Sequence, residues 1–117
     1  MTYLTNLLVA FVSLEHTYFL ILEMFLWTKP KTMKAFGLKS KEFAEETKVL
    51  AANQGLYNGF LAAGLVFSII QENIQTASFF LICVIIAGIY GAYSTKKTKL
   101  FYVQAVPAIL ALLSSFL

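Results

Sequence analysis

Hydrophobic positions gather into four long stretches, about Leu4 to Trp27, Val49 to Ile70, Thr76 to Tyr93 and Leu100 to Leu117. Each is close to the roughly 17 to 25 apolar residues with which a helix crosses a bilayer. Between the first two stretches the pattern breaks at Thr28-Lys29-Pro30 and turns polar through "KTMKAFGLKSKEFAEETK". Ser40 is placed to cap a helix with Glu42 in its first turn, and no breaker follows from Lys41 to Ile70. A helix of that length is about 45 Å long, so its first two turns, 41–48, extend beyond the hydrocarbon core into the cytoplasm. The pattern predicts an all-α fold: an integral membrane bundle of four transmembrane helices over about 4–27, 41–70, 76–94 and 100–117, one membrane domain spanning 1–117.

Smaller features refine this picture. Ala51, Gly55, Gly59 and Ala63 recur every four residues and form a stripe that lets another helix approach closely, and Ala87, Gly88, Gly91 and Ala92 make a similar surface on the third stretch. Pro107 removes a backbone donor and frees the carbonyl of Val103, which predicts a kink close to Gln104. Trp27, Tyr93 and Tyr102 fall at one boundary, where amphipathic rings anchor helices. The first stretch is not read as a signal peptide: it lacks a basic start, runs too long and is interrupted by Glu15-His16.

Composition agrees with a membrane class. Of 117 residues, 59% are hydrophobic and 13% charged, too apolar for one ordinary soluble domain. All nine cationic side chains are lysine. Six lie between the first and second stretches and three, Lys96, Lys97 and Lys99, between the third and fourth. These two connections share a side, and the positive-inside rule makes it cytoplasmic, with both ends of the bundle's chain outward, in a multi-pass protein of the plasma membrane. Lysines that flank apolar spans, with no recognition module, point to membrane lipids and not to nucleic acid as the partner.

Ionisable and amide residues inside the spans are the candidate chemistry. Counted inward from the cytoplasmic boundary, Glu23, Asn53, Gln54, Tyr90 and Gln104 lie at a depth of roughly 5 to 8 Å, with His16 and Asn58 deeper at roughly 14 to 17 Å. His16 and Glu23 lie within about 20° on one helix, and Gln54 and Asn58 within about 40° on the next, where Tyr57 adds a hydroxyl. These faces, turned inward, form a polar pocket open to the cytoplasm with His16 as its floor. Glu15 points about 100° away from His16 and ranks below Glu23. Asn, Gln and His also serve as glue between membrane helices, but an ionisable side chain in a span is costly and marks a binding site or pathway.

Other chemistries find little support. One His and one Cys (Cys83) on different stretches, without HxxxH or CxxC spacing, give no metal site. No second axial ligand supports haem, so no cofactor is expected. There is no phosphate loop or nucleophile elbow, and no arginine to clamp a phosphate or carboxylate. The segments "HTYFLILEMFLW", "TKVLAANQGLYNGFLAAGL", "GIYGA" and "QAVPAILAL", which together cover nearly the whole chain, resemble the small bacterial integral membrane proteins of domain of unknown function 1304. That resemblance implies a four-helix membrane protein with polar positions at His16, Glu23, Asn53, Gln54, Asn58 and Gln104, and it carries no reaction or ligand.

Three functions stay open. The first is binding, and transport, of a small polar or cationic molecule, with Glu23 as counter-charge, His16 as proton-sensitive partner, and Asn53, Gln54, Tyr57, Asn58, Tyr90 and Gln104 as lining. A transport path through so narrow a bundle would call for a homodimer. The second is an enzyme acting on a lipid or lipophilic metabolite, with Glu23 as acid or base. The third is an interaction protein whose polar level is glue.

Overall fold

Long uninterrupted apolar runs and well-placed caps make this chain helical throughout. The computed structural model describes residues 1–117 as five helices without a strand. These are α1 (Tyr3–Phe25), α2 (Pro30–Phe36), α3 (Lys41–Ile70), α4 (Ile74–Thr95) and α5 (Thr98–Ser114). Two of them, α1 and α4, are long and apolar enough to cross a membrane.

The ends are set by specific side chains. Thr2 Oγ1 accepts the backbone N–H of Thr5 at the start of α1, Ser40 Oγ that of Phe43 at the start of α3, and Asn73 Oδ1 that of Thr76 at the start of α4. Each satisfies a donor that the first helical turn leaves open. The Asn73 cap explains why α4 begins at Ile74, before the Thr76 expected from hydropathy. Pro30 opens α2 where a break was expected, because its fixed φ suits the first helical position and the missing N–H costs nothing there. Gly37, at φ 65°, closes α2 in the left-handed region that glycine adopts without penalty. Within α5, residues Phe101–Ala105 widen into a π-helical turn, in which the N–H of Val106 donates to the carbonyl of Phe101. That turn immediately precedes Pro107, so the predicted kink takes the form of an inserted residue.

The chain divides into two compact units. One comprises Met1–Leu14 and Leu61–Leu117, the other Glu15–Phe60. The first has a wholly apolar centre of Val9, Val12, Leu65, Leu81, Val84 and small alanines from α4 and α5. Its buried hydroxyls find partners nearby: Thr5 and Ser114 meet at 2.9 Å, and Ser13 Oγ donates to the carbonyl of Ala62 at 3.0 Å. In the α3–α4 turn, the Glu72 carboxylate accepts from the Met1 ammonium at 2.7 Å and from Asn6 Nδ2 at 3.4 Å. These hydrogen bonds hold its pKa below the ordinary 4.5. The contact is thus made at neutral pH and is lost as pH falls through the lowered value.

Small residues let α4 and α5 approach. A methyl on Gly88 would lie 2.9 Å from Ala105 Cβ and 3.0 Å from its backbone nitrogen, whereas one on Gly91 would meet only Leu100 Cδ1 at 3.9 Å. Backbone cannot swing aside as a side chain can. Gly88→Ala is therefore expected to lose about 1–2 kcal/mol of stability despite alanine's better helix propensity. Gly91→Ala is expected to be neutral or to gain up to about 1 kcal/mol. Thermal unfolding of both variants in one detergent checks the contrast; equal losses would mean the close approach at Ala105 is not made.

Candidate functional site

Within the unit of residues 15–60, α1 and α3 run antiparallel at close range. A methyl on Gly55 would strike Met24 Cγ at 2.7 Å and Glu23 Cβ at 3.1 Å, and one on Gly59 would strike Leu20 Cδ1. Part of the small-residue stripe is therefore the surface on which α1 rests. Side chains on a helix lean towards its N-terminus, so on antiparallel neighbours Glu23 and Asn58 lean towards one another. Asn58 Nδ2 donates to Glu23 Oε1 at 2.5 Å. Both residues are buried, Glu23 at 6% exposure and Asn58 at 7%.

Glu23 also lines an open recess of about 420 Å³. From the α1 side it is bounded by Glu23, Trp27 and Thr28, and from α3 by Lys48, Val49 and Asn53. Trp27 is held on both sides: its indole N–H donates to Thr47 Oγ1 at 3.0 Å, and its ring packs on Phe36 of α2 with centroids 5.0 Å apart. Thr47 in turn donates to the Phe43 carbonyl at 2.7 Å, fixing the acceptor. The short helix α2 thus contributes a wall to the tryptophan that borders the recess.

The other sequence candidates fall in different places. His16 is fully buried, its ring edge-on to Phe19 at 5.2 Å between centroids. Asn53 is exposed on α3, and its Nδ2 donates to the Val49 carbonyl of its own helix. The face expected to be shared by Gln54 and Asn58 divides, with Asn58 inside and Gln54 outside. Tyr57 is 65% exposed, stacked edge-to-face on Phe60. Tyr90, 67% exposed on α4, and Gln104, half-buried in the π-helical turn, belong to the other unit. Trp27, Thr28 and Lys48 border the recess although sequence reasoning cast Trp27 only as an anchor and passed over the other two. Their signal lay in position alone: each lies within one or two turns of Glu23 or Asn53 at the same helix ends.

Glu15 makes a useful contrast. Its Oε1 is buried without a hydrogen-bond partner, and it does not border the recess.

The residues that build this site lie within a match to a known family. A model of the family described as "Protein of unknown function (DUF1304)" matches residues 10–116. The chain belongs to that DUF1304 family. It is also similar to "Uncharacterized protein YpaA" of Lactococcus lactis subsp. lactis (strain IL1403), with 34% identity over 119 residues that cover 99% of each chain. No solved structure matches. The family match takes in the Glu23–Asn58 pair and all the residues of the recess.

The Glu23–Asn58 bond yields a direct test. Removing one partner strands the other in a buried place, while replacing both with leucine removes the polar groups together. Asn58→Leu is expected to destabilise by about 1–3 kcal/mol, and Glu23→Leu combined with Asn58→Leu to recover much of that loss. A double-mutant cycle by thermal unfolding should return a coupling of about 1 kcal/mol. A coupling near zero would show that the two side chains do not meet.

Proposed function

We propose that this DUF1304 protein is a multi-pass plasma-membrane protein that binds, and moves, a small polar or cationic molecule at the recess beside Glu23. In this reading α3 and α5 join α1 and α4 as a bundle of four membrane-crossing helices. The lysine-rich connections face the cytoplasm and anionic lipid headgroups, and the outer ends of α1 and α5 face the opposite side. The observation that carries the binding role is the state of Glu23: a carboxyl placed inside an apolar helix, with one oxygen held by Asn58 and the other without a hydrogen bond, beside a recess of about 420 Å³. Membrane helices carry ionisable side chains at a cost, which a binding site or pathway justifies. The volume falls in the range of roughly 300 to 1,000 Å³ typical of small-molecule sites.

The roles follow from placement. Glu23 is the counter-charge, Asn58 orients it, Asn53 offers a hydrogen-bonding group at the rim, and buried His16 is the proton-sensitive neighbour on the same helix. A second reading is favoured by the same Glu23–Asn58 bond: the pair is glue between α1 and α3, and the recess has no occupant.

Native mass spectrometry of the protein taken gently from its own membrane, run beside Glu23→Gln, separates the two. The binding reading expects a stoichiometric non-lipid mass on the wild type that is missing from the folded variant. Bare protein in both would leave the glue. The topology has its own check in a Cys83→Ala background: a cysteine at Gln75 should react with an impermeant maleimide on intact cells, and one at Lys97 only after the membrane is opened. The reverse pattern would invert the bundle, and labelling of both on intact cells would remove the four-span arrangement.

A further inference from the structure

The groups that line the recess differ in how much of their hydrogen-bonding capacity is already used. Glu23 Oε2 accepts no hydrogen bond, since only Oε1 is engaged by Asn58. Asn53 commits one N–H of its amide to the Val49 carbonyl at 3.0 Å, which leaves its second N–H and Oδ1 open. Trp27 has one polar donor, and Thr47 takes it. Lys48 stands at the rim, more than half exposed, with Nζ 3.2 Å from the Glu45 carboxylate. The indole donor is thus spent and the lysine ammonium stands at the rim, the Asn53 amide and the Thr28 hydroxyl can each donate or accept, and the charged group with an open oxygen is the Glu23 carboxylate. The remaining wall is apolar, formed by Met24, Phe25 and Val49.

We infer that the occupant of the recess is a primary ammonium carried on a small apolar body. This rests on the binding reading above and gives it a ligand class. An R–NH₃⁺ group brings three N–H donors and no acceptor, which complements open oxygens on Glu23 and Asn53. Its bond to a carboxylate is charge-assisted, roughly twice as strong as a neutral one. The alkyl or aryl part packs on Met24, Phe25 and Val49. A quaternary ammonium carries the charge without donors and satisfies neither oxygen. A carboxylate ligand meets Glu23 as a like charge.

Trp27 is the chain's one tryptophan and borders the recess, so its emission reports occupancy without a label. The full chain in zwitterionic nanodiscs is titrated at constant ionic strength with n-butylammonium chloride, tetramethylammonium chloride, butyramide and sodium butyrate. Butylammonium is expected to saturate, with tetramethylammonium at least about tenfold weaker. Glu23→Gln and Asn53→Leu are each expected to weaken butylammonium by about tenfold or more. Asn53 is exposed, so its variant keeps the test alive if Glu23→Gln does not fold. Equal responses to the two ammonium ions would mean that charge alone is read, and the donor argument fails. Saturation by butyramide or butyrate that depends on Glu23, with none by butylammonium, would overturn the ligand class and leave the binding reading standing. No saturable response to any probe, in protein whose circular dichroism is fully helical, would overturn both.

Discussion

The contact on which the site depends is the close approach of α1 and α3 at Gly55. With any side chain at that position, α3 would be forced away from Met24 and Glu23. An added separation of even one ångström would put Asn58 Nδ2 beyond hydrogen-bonding reach of the Glu23 carboxylate, now at 2.5 Å. The small stripe is therefore more than a packing device. It sets the distance at which a buried acid finds a donor, and a buried acid without one is among the costliest groups a protein can hold.

The two compact units solve the same problem differently. Around Val9, Leu65 and Leu81 the buried hydroxyls are each satisfied by a neighbouring hydroxyl or a backbone carbonyl, as with Thr5–Ser114 and Ser68–Leu65, while the Asn6 amide oxygen is buried without a partner. Those bonds use up what a hydroxyl offers and leave an apolar centre. In residues 15–60 the buried polar groups are the Thr32 hydroxyl, an imidazole, a carboxyl and an amide, and the carboxyl keeps one oxygen open beside a recess. Of these, only the Glu23 oxygen adjoins the recess. Trp27, at its border, is held by Thr47 and Phe36, so that part of the wall is shaped before anything enters the recess.

Much of the fold was legible because hydropathy and caps agree. The chain reads as helical from its apolar runs, and Ser40 followed by thirty residues without a breaker announces α3. What was not legible had local causes. Helix α2 is seven residues long, too short for a periodic apolar face to show, and Pro30 reads equally as a break or as a first helical residue. Pro107 foretold a disturbance near Gln104, but whether it would be a bend or the π-helical turn of Phe101–Ala105 depends on packing of Ala105 against Gly88. At the site, counting residues to equal depth grouped Glu23 with Asn53 and Gln54. The count ignored the lean of side chains, which carries Glu23 and Asn58 towards each other across antiparallel helices. Gln54 could not be sorted from Asn58 by angle alone, because about 40° on a helix is enough to cross from its buried face to its exposed one, whereas Tyr57 lies about 100° from Asn58.

The two glutamates of α1 show what distinguishes a site from a cost. Both interrupt an apolar helix, and a count of ionisable groups treats them alike. Glu15 has a buried oxygen that nothing satisfies, and it does not border the recess. Glu23 has a donor on one oxygen, an open second oxygen and space adjoining it. The Asn58 bond orients the carboxyl, and in an apolar setting an oriented carboxyl loses little entropy when an ammonium arrives. Selectivity then comes from what the surroundings withhold. With the Trp27 donor committed to Thr47 and a carboxylate as the charged group, an anion is disfavoured, and a molecule that brings its own donors and a positive charge is held.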